Sequence, residues 1–265
     1  MKIVFLGSGS MGSAMLHGIV KSGAAAPGDL IATAAHGSHF AELQALGIRT
    51  TTDNRAAARE ADVLFLTVKP YLFEPVIAEI REVLPETALV VSIAAGQTLA
   101  ALQAQFGGGR RIVRVMPNTP AMVGAAMSAY CGNEFATDAD LETVRQLLEA
   151  FGLAEKVPER LMDAVIGVSG SSPAYAYLFI EALADGAVLA GMPRKQAYTF
   201  AAQSVLGAAK MVLESGQHPG ALKDAVCSPG GTTIAAVAKL EERGLRSAVI
   251  EAERACVEAS RAMTK

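Results

Sequence analysis

Two stretches of this chain carry residue types at spacings that could do chemistry. Residues 7–12 read G-S-G-S-M-G, and residues 227–233 read C-S-P-G-G-T-T. The first is a G-x-G-x-x-G pattern placed directly after M-K-I-V-F-L, a short apolar run rich in strand formers. A buried strand that passes through such a turn into a helix is a dinucleotide-binding unit. Gly7 permits the tight turn, Gly9 lets the backbone approach a diphosphate, and Gly12 lets the helix lie close on the sheet. A helix starting near Ser10 then offers unpaired amides and the positive end of its dipole to the phosphates. The second stretch precedes an amphipathic helix carrying Ile234, Val237 and Leu240. Ser228, Gly230, Gly231, Thr232 and Thr233 gather amides and hydroxyls at a helix start, an arrangement suited to a carboxylate, and Thr233 could hydrogen-bond a ring nitrogen. A turn followed by a Ser or Thr cap explains the same residues.

Other chemistries find little support. Cys131, Cys227 and Cys256 are far apart and form no C-x-x-C pair, so reduced thiols are expected rather than a disulfide framework or a zinc site. His17, His36, His39 and His218 lack metal-ligand spacing, and no metal is expected. No Ser/His/Asp or Cys/His arrangement is visible. Carboxylate pairs fall on helix faces, where surface salt links account for them.

The elements that position the two stretches follow from periodicity and turn residues. A helix from Ser10 to about Ser22 leads through Ala26-Pro27-Gly28-Asp29 to a strand over residues 30–32. Just past that strand an NAD-selective site places Asp or Glu on the ribose hydroxyls. This chain has Thr33-Ala34-Ala35-His36, which favours NADP, with Thr33, His36 and Ser38 as donors to a 2′-phosphate; His36 equally suits a solvated loop. Asp53 is an N-cap for a helix from Asn54. The strand D-V-L-F-L-T-V-K-P puts Val68, Lys69 and Pro70 at its carboxyl end, where ligands lie in open α/β sheets. Lys69 fits either a cofactor contact or a surface lysine at a helix start. The next strand ends in Ala94-Ala95-Gly96, small residues that admit a ligand to the backbone. Pro117 and Pro120 bracket an extended, rigid loop with Asn118 near the nicotinamide end. This βα alternation predicts a doubly wound parallel sheet over residues 1–157. From residue 158 to 265 the strand signal disappears and an all-α domain is expected. Its helix over 169–191 is apolar nearly all round, so it belongs in a subunit interface.

Of the 265 residues 51% are hydrophobic and 18% charged. The uncharged segments 87–109 and 115–133 are interrupted by Gln, Gly, Pro and Asn, and neither is a run of about 20 apolar residues. The chain opens on a strand pattern rather than a leader, so a cytoplasmic protein without membrane association is expected. A net charge of −3 gives no reason to expect nucleic acid.

Seven motifs together resemble the pyrroline-5-carboxylate reductase family nearly end to end: G-S-G-S-M-G (7–12), D-V-L-F-L-T-V-K-P (62–70), S-I-A-A-G (92–96), R-V-M-P-N-T-P (114–120), V-S-G-S-S-P-A-Y (168–175), H-P-G-A-L-K-D (218–224) and S-P-G-G-T-T-I (228–234). The resemblance implies a Rossmann-like domain followed by an all-helical one, and reduction of pyrroline-5-carboxylate to L-proline by NADPH or NADH. It implies cofactor contacts from Gly7, Ser8, Gly9, Ser10 and Met11, from Val68 to Pro70, from Ala94 to Gly96, and from Thr33 and Asn54 at the adenosine end. Ser228, Gly231, Thr232 and Thr233 would bind the substrate carboxylate and imine at a dimer interface, with Thr233 as the catalytic candidate. Homodimers with interlocked helical domains, and rings of such dimers, are implied as well. Ala225 departs from members that have Asn there. A β-hydroxyacid dehydrogenase has a similar plan but needs a general acid/base, commonly a lysine early in the second domain, and residues 169–192 contain none. A non-catalytic NADP sensor would leave S-P-G-G-T-T without a purpose.

Overall fold

The structure, a computed structural model, describes residues 1–37 and 39–263. Its contacts divide the chain into two units: Met1–Ser171 with the C-terminal segment from Cys256, and Ser172–Ala255. The sequence reading puts the boundary earlier, between residues 157 and 158. Residues beyond 157 stay with the first unit because their apolar side chains find a core there. Met162 and Ile166 are buried in it, and Val165 and Cys256 pack against it. Ser260 also donates its hydroxyl to Asp163 (2.7 Å), and the Cys256 thiol reaches Ser171 Oγ at 3.2 Å.

The first unit holds one sheet of eight strands: β1 (Ile3–Leu6), β2 (Leu30–Thr33), β3 (Arg49–Thr51), β4 (Val63–Leu66), β5 (Leu89–Ser92), β6 (Ile112–Met116), β7 (Ala126–Gly132) and β8 (Gly152–Lys156). Its helices are α1 (Ser10–Ser22), α2 (Phe40–Ala45), α3 (Asn54–Ala58), α4 (Phe73–Ile80), α5 (Leu99–Phe106), α6 (Asp138–Glu149) and α7 (Met162–Val165). The second unit contains α8 (Ser172–Leu189), α9 (Arg194–Ser215), α10 (Pro219–Ala225), α11 (Thr232–Glu242) and the first turns of α12 (Leu245–Met263).

Strand order is β3-β2-β1-β4-β5-β6-β7-β8, and β3 to β6 are all parallel. Side chains alternate between two apolar faces. Val4, Leu6, Leu64 and Leu66 join one core, and Ile3, Phe5, Val63 and Phe65 join the other. Phe5 and Phe65, opposite each other in register, stack with ring centroids 4.5 Å apart. Both faces being covered explains why these strands read as unbroken apolar runs.

The sheet departs from the expected all-parallel form at β7, which runs antiparallel to β6. A parallel return needs a crossover of a dozen or more residues. Here only one 3₁₀ turn, Thr119–Val123, separates the two strands, so the chain reverses. That turn also corrects the expectation of an extended loop between the prolines. Asn118 is extended, but Pro120 sits in the turn, where its fixed φ suits a helix start. A five-residue π-turn, Ile166–Gly170, precedes α8.

An ion pair between a buried arginine and a half-buried glutamate ties β6 to the segment after β8. Arg114 is 3% exposed, and its Nη1 donates to Glu159 Oε1 at 3.1 Å. The same oxygen accepts the Leu99 amide at the start of α5 (2.7 Å). Burial, with Glu159 nearby, pushes the neighbouring Cys131 thiol up to about 12, so it stays protonated. Glu159→Ala should therefore cost about 2–3 kcal/mol, because it strands a buried guanidinium and an amide. Urea denaturation measures this; an unchanged midpoint would mean that Arg114 is solvated without Glu159.

Candidate functional site

At the end of β1 the chain makes a turn that only glycine can make. Gly7 has φ +105°, and a Cβ there would stand 2.8 Å from the Val68 amide nitrogen. Gly12, in the first turn of α1, has no room either: a Cβ would lie 2.3 Å from the Gly7 carbonyl oxygen. The Thr67 hydroxyl fastens the turn by donating to the carbonyls of Leu6 (3.0 Å) and Gly7 (2.5 Å). The amides of Gly7 and Ser8 both donate to Thr33 O (3.2 and 2.8 Å), which joins the turn to the end of β2. Past these anchors, α1 begins without a side-chain cap, and the amides of Gly9, Ser10 and Met11 make no hydrogen bond among the described residues. A Cβ on Gly9 would meet nothing within 4 Å. The result is a line of donors facing open space at a helix N-terminus, which is an anion-binding geometry.

The space in front of these donors is a cleft of about 730 Å³ at the switch point between β1 and β4, the place where open α/β sheets bind ligands. Of the residues the sequence reading assigns to a cofactor, Gly7, Ser8, Gly9, Ser10, Met11, Thr33, Asn54, Val68, Lys69, Pro70, Ala94 and Ala95 all line it. Gly12, Gly96 and Asn118 do not. Gly12 acts from beneath, through the packing just described. Gly96 has φ +76° and lies against Met263, where a Cβ would be 3.3 Å from its carbonyl oxygen. Asn118 uses its side chain as a clip, accepting from Met127 N (2.9 Å) and donating to Ser169 O (3.1 Å). Lys69 has both of its expected roles, since it lines the cleft and precedes the 3₁₀ turn Pro70–Leu72.

Sequence reasoning missed Thr67, Ile93 and His39, which also line the cleft, as do Pro117 and Thr119 of the loop expected near the nicotinamide end. Thr67 and Ile93 continue strand ends already singled out, and that position was the available signal. His36 is exposed and outside the lining, and Ser38 lies outside the described residues. Thr33 is 1% exposed, and its hydroxyl donates to Asn54 Oδ1 at 2.7 Å, while Asn54 Nδ2 donates to Glu79 (3.0 Å). Thr33 is thus not available as a phosphate donor. Ser8 tells the opposite story: it is 1% exposed, and its Oγ has no partner. An unpaired buried hydroxyl beside a row of unpaired amides fits the phosphate portion of a dinucleotide.

In the second unit, Gly230 has φ +65° and Gly231 caps α11 in extended conformation. The Gly231 amide donates to Ser228 O (3.0 Å), closing the turn, and no side chain caps the helix. This contradicts the alternative reading of a Ser- or Thr-capped helix. The amides of Thr232 and Thr233 make no hydrogen bond among the described residues; Thr232 is exposed and Thr233 half-buried. His218 has a structural task, accepting the Gly220 amide at 3.0 Å to cap α10. The three cysteines are free thiols, and no group of three His, Cys, Asp or Glu among the described residues could hold a metal ion. No described helix is long and apolar enough to cross a membrane.

Comparison with known proteins assigns both units. Residues 159–263 match the family model for pyrroline-5-carboxylate reductase dimerisation, and residues 2–96 match the model described as NADP oxidoreductase, coenzyme F420-dependent. The pyrroline-5-carboxylate reductase of Escherichia coli K12 is 50% identical over 265 residues, covering 100% of this chain and 98% of that one. That of Methanosarcina acetivorans is 48% identical over 95% of this chain and 93% of its own. Among solved structures, the Plasmodium falciparum pyrroline carboxylate reductase with NADP bound superposes with a TM-score of 0.91 at 32% identity, covering 100% of this chain and 98% of that one. The Coxiella burnetii enzyme gives 0.94 at 35% identity over the same shares.

The two helix-start glycines separate binding from folding. Gly9→Ala should keep the wild-type Tm, since its Cβ meets nothing, yet weaken NADPH binding at least about tenfold by filling the diphosphate approach. Gly12→Ala should lower both, because its Cβ displaces the Gly7 turn. Thermal melts and fluorescence titration with NADPH check the pair; equal affinity in Gly9→Ala and wild type would remove the diphosphate from this turn.

Proposed function

The chain belongs to the pyrroline-5-carboxylate reductase family, and from that premise we propose how its own residues carry out the reaction. It is an oxidoreductase that reduces L-1-pyrroline-5-carboxylate to L-proline, with NADP(H) as cofactor. The observation that carries this reading is the cleft at the end of β1: a row of unpaired amides, the unpaired Ser8 hydroxyl and no carboxylate among the lining residues. NADH can serve in the same cleft, since the donors named so far address the diphosphate common to both cofactors.

When bound, reduced nicotinamide supplies a hydride for the C=N carbon of the substrate. The chain's contribution is to hold the substrate. Ser228, Gly230, Gly231 and Thr232 take its carboxylate, with hydroxyls and amides at the N-terminus of α11 as donors. Thr233 orients the ring nitrogen, whose proton makes the C=N bond electrophilic. Positioning a substrate that is already activated needs no dedicated acid or base, and this agrees with a segment that contains no titratable group except Cys227.

We place the enzyme in the cytoplasm, a compartment that suits its free thiols. The chain forms homo-oligomers through its helical region, and we propose that helical units of two protomers interlock and that such dimers can associate into a ring. Support comes from the thin core of the second unit, whose buried cluster consists of Ala184, Ala197 and Ala201. Meanwhile α8 exposes Tyr177, Leu178, Phe179, Leu183 and Leu189, far more apolar surface than a helix leaves in water unless a partner covers it.

Two measurements test these assignments. Loss of reduced-nicotinamide absorbance on adding L-pyrroline-5-carboxylate should yield proline, and Thr233→Ala should reduce kcat/KM at least about tenfold with unchanged NADPH affinity. Unaltered kinetics in that variant would take Thr233 out of the site, and no oxidation by wild type would reject the reaction. For assembly, Leu178→Glu should convert the oligomer to monomer by light scattering; a retained oligomeric mass would exclude α8 from the interface.

A further inference from the structure

The reading of the cleft as an NADP site leaves one question that its geometry answers: which group receives the 2′-phosphate that distinguishes NADPH from NADH. Thr33, the residue best placed by sequence, is buried with its hydroxyl on Asn54, and the Asn54 amide is held in turn by Glu79. The cleft has no arginine and no carboxylate among its lining residues. Among the described residues its only basic side chains are Lys69 and His39. Strand order separates these two. Lys69 follows β4, and His39 follows β2, on the opposite side of β1. In a doubly wound sheet the adenosine ribose lies over the end of the second strand, which is the His39 side.

His39 is also held there at a cost. It has φ +66°, and no other non-glycine residue among the described residues has positive φ. Non-glycine residues adopt this conformation uncommonly, His more readily than most, and strain of this kind gathers at sites of function. The residue does not cap α2 with its side chain, so the strain is not repaid by a helix cap. One ring nitrogen, Nδ1, stands 3.7 Å from Glu42 Oε2, and Nε2 has no partner among the described residues. Glu42 itself does not line the cleft, and its other oxygen lies 3.1 Å from His17 Nε2. With Nδ1 turned toward Glu42, the far nitrogen is left to donate to a ligand.

We propose that His39 is the specificity-determining residue for the cofactor, a donor to the 2′-phosphate of NADPH from the left-handed turn that precedes α2. This rests on the cleft being the NADP site. The test uses fragments that isolate the one group: 2′,5′-ADP and 5′-AMP, titrated calorimetrically into the full-length protein. Wild type should bind 2′,5′-ADP about tenfold or more tightly than 5′-AMP, as expected for a charge-assisted hydrogen bond. His39→Asn, which tolerates the backbone conformation, should bind both alike. His39→Gly should do the same while raising Tm, since glycine relieves the strain; a purely structural role for His39 would leave the fragment preference in place. His39→Arg should retain it. Preference for 2′,5′-ADP persisting in both His39→Asn and His39→Gly overturns the proposal and moves the 2′-phosphate to Lys69 or to backbone donors, with the cleft reading intact. Failure of wild type to bind either fragment or NADPH overturns the cleft reading, and the proposal with it.

Discussion

The close approach of three backbone segments at the end of β1 is the constraint on which the nucleotide cleft depends. The Gly7 turn, the first turn of α1 and the start of the loop after β4 meet with no space for side chains between them. The Thr67 hydroxyl joins them by bridging two consecutive carbonyls across the β1–β4 pair. Because this junction uses the amides of Gly7 and Ser8 for internal bonds, the next amides along the chain are the ones left facing the cleft. The partition is geometric: the anchored donors hold the turn rigid, and the unanchored ones are thereby aimed. A site built this way tolerates change in the surrounding loops but none in the glycines that let the segments touch.

The second unit obeys a different constraint. Its helices bury almost nothing on their own, and the buried cluster between α8 and α9 is made of alanines. Small side chains bring two helix axes close but remove little apolar area from water, about 25 cal/mol for each Å². The larger apolar residues of α8 point away from that contact and are exposed. Stability of this unit is consequently linked to assembly, so protomer concentration enters its folding equilibrium.

Much of this was legible in the sequence because the signals were local. The apolar runs of β1, β4 and β5, the glycines of the first turn and the Asp53 cap, which accepts the Ala56 amide at 2.9 Å, all depend on neighbours a few residues away. What was not legible depended on partners distant in sequence. The direction of β7 follows from a single short turn whose residues read equally well as an extended loop. Thr98 caps α5 through Ala101 N, but the helix lies within a stretch where Gln and Gly mask its periodicity. Thr33 looked like a phosphate donor because nothing in residues 30–38 shows that Asn54, 21 positions on, takes its hydroxyl. His39 reads only as one of four histidines without metal-ligand spacing, since a left-handed φ at one residue leaves no mark in composition. The fall of the domain boundary past residue 157 likewise reflects buried contacts of Met162 and Ile166 that helix periodicity cannot assign to one core or another.

The donor inventory explains why an enzyme of this kind can manage with so few charged groups. Under the proposed assignment, its two anionic ligands, a diphosphate and a carboxylate, each meet a helix start capped by glycine rather than by a side chain: Gly9 before α1 and Gly231 before α11. A capping side chain would satisfy those same amides and compete with the ligand. Backbone amides also lose little conformational freedom when a ligand arrives, whereas ordering a lysine or arginine costs up to about 2 kcal/mol. Hydride transfer requires reacting atoms held about 3–3.5 Å apart, and donors that are already ordered preserve that spacing better than flexible cations would. Selectivity between cofactors is the one task such donors cannot perform, because the diphosphate they grip is identical in both. That task needs a side chain, and a strained histidine at the edge of an otherwise neutral adenosine end is the place where the fold supplies one.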